Sequence, residues 1–314
     1  MGVFEIQDEA FFFRHFEPRP DVIFNNTVAN GFLLKKLAGF KRPVASYVHE
    51  LESVIEEFDK RGISSMTFDY SDLFIAPSRT VAANLINAHN IASEKIYYLN
   101  YFVDRPHAES PDRNAARATF MQKFKIPTDR FCVVGMGTAT HRKGIDIFVE
   151  ACRLVNMEDG NIHFFWIGDY EDEEMRVKTN EFLREQKLDN AFTMTGRIPH
   201  SFFNLLPFDL FVLTSREDPY PMVVIEAAML QLPTVCFDRS GGAAEFVAND
   251  AGWTIPGFSA EFLAQKIIAL KNNPSVIREK GENAGKKAMT LHGDPTFVRN
   301  QFELIIKNLE KSNS

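Results

Sequence analysis

The sequence predicts an α/β protein made of two doubly wound, largely parallel domains. Three observations carry this. Short apolar runs alternate with helix-like stretches along most of the chain, the rhythm that βαβ units produce. A polar, proline-bearing stretch over residues 104–128 divides that rhythm into two halves. At Leu210 to Leu230 an apolar run breaks at Pro219 and Pro221 and resumes as a helix, the strand–turn–helix unit of such sheets. The length, 314 residues, suffices for roughly two domains.

Taken in order, residues 1–20 carry no clear pattern and end at Pro18 and Pro20. Asp21 to Thr27 reads as a strand, followed by a helix-like stretch to Ala38. Val44 to Val48 is a second strand and ends at His49-Glu50. Leu73 to Pro77 is a third, with Ser78 as N-cap of a helix from Arg79 to His89. Ile96 to Val103 is a fourth. The rhythm is clearer in the second half. Phe131 to Gly135, His163 to Gly168, Phe192 to Gly196, Leu210 to Thr214, Thr234 to Asp238 and Gly252 to Ile255 read as strands. The stretch Gly144 to Val155 puts Ile145, Phe148, Val149 and Cys152 on one helical face. The expected division is a first domain over 1–104, a linker over 105–128, a second domain over 129–294 and an amphipathic terminal helix over 295–314.

Composition narrows the class. Hydrophobic content of 45% and charged content of 25% describe a globular protein. A net charge of -7 argues against nucleic acid as a partner. Cys132, Cys152 and Cys236 lack metal-ligand spacing, so buried free thiols in a reducing compartment are expected. The Phe-rich start is interrupted by Asp8, Glu9 and Arg14, so it is not expected to act as a signal peptide. No apolar run approaches the roughly 20 residues of a membrane span. The expected location is the cytoplasm, with the inner face of the membrane as an option.

The stretch Ser215-Arg-Glu-Asp-Pro-Tyr-Pro-Met-Val-Val-Ile-Glu226-Ala-Ala concentrates the chemistry. Its turn falls between a strand's carboxyl end and a helix's amino end, with a proline suited to the first helical position. The N–H groups of Tyr220, Met222 and Val223, with the helix dipole, would welcome an anion such as a phosphate. Asp218 and Glu226 flank the turn. Alone, they read as a helix cap and a solvated carboxylate. Glu226, however, lies in an otherwise apolar run, where an acid needs a partner.

Acid-x7-Glu in this setting resembles the donor-site motif of retaining glycosyltransferases of the GT-B fold, in the large family 4. The resemblance covers most of 21–314 and implies two Rossmann-like domains, the first incomplete. It gives Asp218 the donor-sugar contact, the backbone after it the sugar and phosphate, and Glu226 the ribose of the nucleotide. The first position of the motif is more often Glu. Gly135-Met-Gly-Thr-Ala-Thr-His-Arg-Lys-Gly144 resembles the family's phosphate loop. Lys143 would neutralise the donor diphosphate with Arg142 as helper. A second basic residue common in the family is replaced by Gly137-Thr138, whose backbone and hydroxyl would substitute. Thr195-Gly-Arg197 sits where the family's nucleobase lies, although Arg197 reads equally well as a surface turn residue. Gly241-Gly-Ala-Ala-Glu245 resembles the donor-site Gly-Gly-x-x-Glu loop, and reads otherwise as a Gly-rich turn with a helix-start Glu. His49 alone reads as a surface or capping histidine. The resemblance instead has it contact the donor sugar, facing Asp218 across the cleft, with Glu50 orienting it. The terminal helix would return to the first domain.

The implied function is retaining transfer of a sugar from a nucleotide-diphosphate donor to a glycan or lipid-linked acceptor, in surface polysaccharide synthesis. No cofactor and no metal are implied, since no Asp-x-Asp occurs and positive charge would come from Lys143, Arg142 and the helix start. Peripheral membrane association, and a dimer or partner contact at the edge of the first sheet, are further expectations. The alternatives are a degenerate subunit that binds nucleotide sugar or a partner without turnover, and a sugar-nucleotide epimerase.

Overall fold

The computed structural model describes residues 20–105, 112–199 and 202–311. Whatever residues 1–19 and His200 contribute therefore lies outside the described residues. The chain forms two compact units: one runs to Asn100 and resumes at Val298, the other spans Tyr101–Phe297.

The first unit contains β1 (Ile23–Asn25), α1 (Gly31–Leu37), β2 (Val44–Tyr47), α2 (Glu52–Asp59), α3 (Ile63–Asp69), β3 (Leu73–Ala76), α4 (Arg79–Asn87) and β4 (Ile96–Tyr98). Its four strands are parallel in the order β1-β2-β3-β4. Val28, Val48, Ile55, Phe74, Val81 and Leu85 fill its core. The Ser78 hydroxyl accepts from the Val81 N–H at 3.1 Å and so caps α4. The fourth strand is shorter than its apolar run. Leu99 still bonds to Ala76, but Val103 is buried in the core of the second unit and donates to His292. The chain leaves the sheet in mid-run, so one hydrophobic stretch serves two cores.

The second unit contains α5 (Arg113–Phe124), β5 (Phe131–Met136), α6 (Ile145–Glu158), β6 (Ile162–Ile167), α7 (Glu173–Glu185), β7 (Phe192–Met194), β8 (Leu210–Leu213), α8 (Met222–Met229), β9 (Thr234–Phe237), α9 (Gly242–Val247), β10 (Gly252–Ile255), α10 (Ala260–Lys271) and α11 (Pro274–His292). Six parallel strands run in the order β10-β9-β8-β5-β6-β7. The central strands are buried on both faces, and alternation deals their side chains to two cores. Val133, Phe164, Trp166, Leu210, Val212, Val235 and Phe237 pack on one side against α6 and α10. Val134, Phe165, Phe211, Leu213 and Cys236 pack on the other against α8 and α11. The chain winds outward both ways from β5, so the topological switch point lies between β5 and β8.

Part of the expected linker is a helix of the second unit. The Asp112 carboxylate caps α5. Phe120 and Phe124 meet Phe165 at ring-centroid distances of 5.5 and 6.1 Å, Phe120 meets Phe208 at 5.1 Å, and Met121 is fully buried. Arg117 ties it further, to Pro207 O at 2.7 Å and Asp209 at 3.0 Å. The polar outer face of α5 outweighs its narrow aromatic stripe in composition, which is why it reads as a linker. The last helix, α12 (Pro295–Lys311), sets Phe302 5.4 Å from Phe24 and Gln301 within 3.1 Å of Asn100, both in the first unit.

All three cysteines are free and buried, and burial pushes the Cys132 and Cys236 thiols up to about 12. No helix among the described residues is long and apolar enough to cross a membrane.

Candidate active site

The loops after β5 and β8 meet at the switch point. Gly144 makes the approach possible: its φ is +71°, and a Cβ there would lie 2.1 Å from the Thr214 carbonyl oxygen. The Thr214 hydroxyl donates to Lys143 O at 3.0 Å, and the Arg216 N–H donates to Arg142 O at 2.8 Å. The Arg216 guanidinium then clamps the β5 loop, donating to His141 O at 2.6 Å and to both Asp146 oxygens at 2.8 and 2.7 Å.

This clamp delivers Lys143 to Asp218. Lys143 Nζ lies 2.5 Å from Asp218 Oδ2, and the Ser215 hydroxyl reaches the same oxygen at 3.3 Å. Asp218 is only 6% exposed. Charge paired at such depth is held by its partners, since water cannot compensate it. Asp218 therefore does not cap α8. The N-cap is Pro221, one position earlier than expected for a proline, and it gives no side-chain bond. The N–H groups of Tyr220, Met222 and Val223 have no acceptor among the described residues. Glu226 lies half-buried on α8, and Met222 one turn before it is exposed.

The Gly241-Gly242 turn packs directly on Asp218. Asp218 N–H donates to Ser240 O at 2.7 Å, and Gly242 N–H returns to Asp218 O at 3.2 Å. Glu245 sits half-buried on α9, which starts at this turn.

Three expected donor-site groups are already engaged. Gly137 spends its N–H on Ile167 O at 2.9 Å, because the β5–β6 ladder runs on past β5, so that N–H cannot replace a missing cation. Thr138 is exposed beside it. Arg142 is exposed and donates to Glu217 O at 2.9 Å. Arg197 is 82% exposed and forms a 3.0 Å ion pair with Asp169, which lies beyond the end of β6. Asp169 also accepts the Arg197 N–H at 3.2 Å.

His49 belongs to the first unit. Its ring is half-buried, 4.0 Å from the Tyr47 ring, with Nε2 2.8 Å from Asn26 Oδ1. Burial pushes it down to about 4, so the imidazole is neutral near pH 7. Glu50 acts on the backbone, accepting the His49 N–H at 2.8 Å and the Thr27 hydroxyl at 2.5 Å. Burial raises the Glu50 carboxyl above its usual value against these bonds.

His163, in the sheet core, is neutral for a related reason. Burial and then the Arg130 charge push it down to about 4. Arg130 donates to Nδ1 at 3.3 Å, and Nε2 meets the Thr193 hydroxyl at 2.8 Å. Unfolded, the ring titrates near 6.5. As pH falls from 6.5 toward about 4, the unfolded chain takes up the proton first. Stability is therefore full above that window and falls through it, by of order 1 kcal/mol per pH unit from this residue. Melting curves between pH 7.5 and about 4.5 should fall more steeply in wild type than in His163→Gln; equal slopes would contradict the assignment.

Sequence reading assigned no role to Arg216, Asp146, Ser215 or Asp169. Arg216 and Ser215 lay inside the quoted motif. Asp146 and Asp169 had only their places just after a loop glycine and just after a strand as signals.

The model of the family described as glycosyl transferases group 1 matches residues 116–289. An alpha-D-kanosaminyltransferase of Streptomyces kanamyceticus is 23% identical over 62% of this chain and 50% of its own. A poly(ribitol-phosphate) alpha-N-acetylglucosaminyltransferase of Staphylococcus aureus is 27% identical over 52% of this chain and 32% of its own. The chain thus spans half or less of the length of these two relatives. Among solved structures, HepE of Anabaena in complex with UDP and glucose superposes with a TM-score of 0.78 at 18% identity, covering 92% of this chain and 77% of that one. Sucrose-phosphate synthase of Thermosynechococcus elongatus superposes with a TM-score of 0.76 at 18% identity, covering 97% and 77%. The fold is the GT-B fold that the motifs implied. With the family model running from α5 into α11 and so including the loops that build the Lys143–Asp218 site, this chain belongs to the glycosyl transferases group 1 family.

Proposed function

We propose that the protein is a retaining glycosyltransferase that uses a nucleotide-diphosphate sugar and builds a glycan or lipid-linked saccharide. The observation that carries the reading is the Lys143–Asp218 pair at the switch point, beside a helix start whose Tyr220, Met222 and Val223 N–H groups have no acceptor among the described residues. Breaking the anomeric C1–O bond to phosphate leaves a nucleoside diphosphate, whose growing negative charge needs preorganised positive partners. In this proposal Lys143 and the N–H groups of Met222 and Val223 supply them, with Arg142 as a solvent-side helper and no divalent ion assigned. Asp218, fixed by Lys143 and Ser215, keeps an oxygen for a sugar hydroxyl. Glu226 takes the ribose, Glu245 borders the sugar, and Arg197 with Asp169 borders the base. For His49 the proposed role is a hydrogen bond to a sugar hydroxyl from a neutral ring.

No side chain in the β5 and β8 loops is placed as a nucleophile. The step assigned is front-face substitution: C1–O(phosphate) breaks, C1–O(acceptor) forms on the same face, and the acceptor proton passes to the leaving phosphate oxygen. Homologues that act in capsular polysaccharide and amylovoran biosynthesis support a role in polysaccharide assembly.

The test is calorimetry of the full chain with UDP, GDP and ADP without added metal. UDP comes first because HepE binds it. One diphosphate should bind, and Glu226→Ala should weaken it about tenfold, the loss of a charge-assisted hydrogen bond. Unchanged affinity in Glu226→Ala would remove the ribose from that residue. No binding by any diphosphate would favour a subunit without turnover.

A further inference from the structure

The geometry points to His292 as a positioning residue for the donor turn, acting through the phenol of Tyr220. The inference deepens the proposed donor site and rests on it. His292 is the last residue of α11 and is fully buried. Its Nδ1 lies 2.8 Å from the Tyr101 carbonyl oxygen, and its Nε2 lies 3.0 Å from the Tyr220 hydroxyl. A carbonyl can only accept, so Nδ1 carries the hydrogen and Nε2 keeps its lone pair. Tyr220 must then donate to it. The directions of both bonds are thereby set, provided the ring is neutral. Burial supports that state, holding the imidazole below its usual value and the phenol above its own.

The ring is enclosed on other sides by aromatic groups. Tyr220 and Phe246 lie at centroid distances of 5.4 and 6.0 Å, and Tyr101 lies 5.9 Å from Tyr220. The His292 backbone adds a further tie, its carbonyl accepting the Val103 N–H at 2.9 Å.

Tyr220 stands between Pro219 and Pro221, so neither flanking residue can donate a backbone bond. The phenol adds a side-chain anchor to a turn whose backbone is held through the bonds of Asp218, Pro219 and Pro221 to Ser240, Gly242 and Val224. That turn presents Asp218 on one side and the start of α8 on the other. Its anchor sits on the two stretches by which the chain arrives from the first unit, after Asn100, and departs again, before Val298. The sequence signals neither partner, since Tyr101, Tyr220 and His292 are far apart in the chain.

The test uses the full chain with Tyr220→Phe, His292→Phe and His292→Gln, read by site-resolved amide hydrogen exchange and by UDP binding. The amides of Asp218, Val224 and Gly242 report on the turn, since they bond to Ser240, Pro221 and Asp218. Both Phe variants should speed their exchange about threefold to tenfold, the span of one lost neutral hydrogen bond, and leave β5 and β6 amides unchanged. UDP should bind more weakly by a similar factor. Gln, with an acceptor and a donor on a comparable reach, should recover part of both effects. Unchanged exchange at the turn, or a Gln variant no better than Phe, would overturn the inference. If His292→Phe does not fold, Tyr220→Phe decides it alone, because it removes one oxygen. If wild type does not bind UDP, the nucleotide assignment fails separately, and exchange still settles the positioning role.

Discussion

Lys143→Ala is expected to lower turnover about a hundred- to a thousandfold while weakening nucleotide binding far less. Removing one preorganised electrostatic donor at a developing oxyanion costs about that much. The structure adds a complication that the experiment must separate. Lys143 also neutralises Asp218, which is 6% exposed and otherwise has the Ser215 hydroxyl. Stripping one partner from a buried pair costs about 3–5 kcal/mol, because a charge is left uncompensated. Lys143→Ala should therefore melt at a lower temperature as well as turn over slowly. The double variant Lys143→Ala/Asp218→Asn removes the stranded charge. It should regain most of the stability and none of the turnover. Recovery of turnover in the double variant would mean that Lys143 only holds Asp218. Full turnover in the single variant would remove Lys143 from the reaction.

Gly241→Ala should be among the most damaging single methyl additions in the second unit. Gly241 has a φ of +113°, outside the range that side chains adopt, and an added Cβ would lie 2.0 Å from the Asp218 carbonyl oxygen and 2.8 Å from its carbon. Both are backbone atoms, which cannot swing aside. The Gly241–Asp218 bridge would have to open, displacing the carboxylate that holds Lys143. The expected cost is about 3 kcal/mol or more in stability and about a hundredfold or more in kcat/KM, the effect of an ångström of misplacement. Gly257→Ala is the control. It has a φ of +66° with nothing within 4 Å, so only the conformational cost applies there, about 1–2 kcal/mol. Equal melting shifts for the two variants would show that the steric clash is absent.

Much of the fold was legible because its signals are local. Strand runs such as Val44 to Val48 and Gly252 to Ile255 sit within a residue of β2 and β10. The strand–Pro-rich turn–helix at 210–230 appears as read, since proline and helix periodicity act over a few residues. Errors arose where one stretch serves two masters. The run Ile96 to Val103 supplies β4 and then the core of the other unit. Helix α5 hides a narrow aromatic stripe under a polar face. Gly137 seemed a free donor until the β5–β6 ladder claimed it.

By itself, the sequence determined the two α/β halves, where most strands start, and the loops carrying Lys143, Asp218 and Gly241, since side-chain period, turn chemistry and motif spacing are short-range properties. Only the tertiary structure decided which loops meet. The order that sets β5 beside β8 brings Lys143 to Asp218 and Arg216 to Asp146 across more than 60 residues of chain. It also brings His292 to Tyr220. Such pairs leave no mark in the local sequence, because their partners are chosen by sheet order and by the need to satisfy buried polar groups.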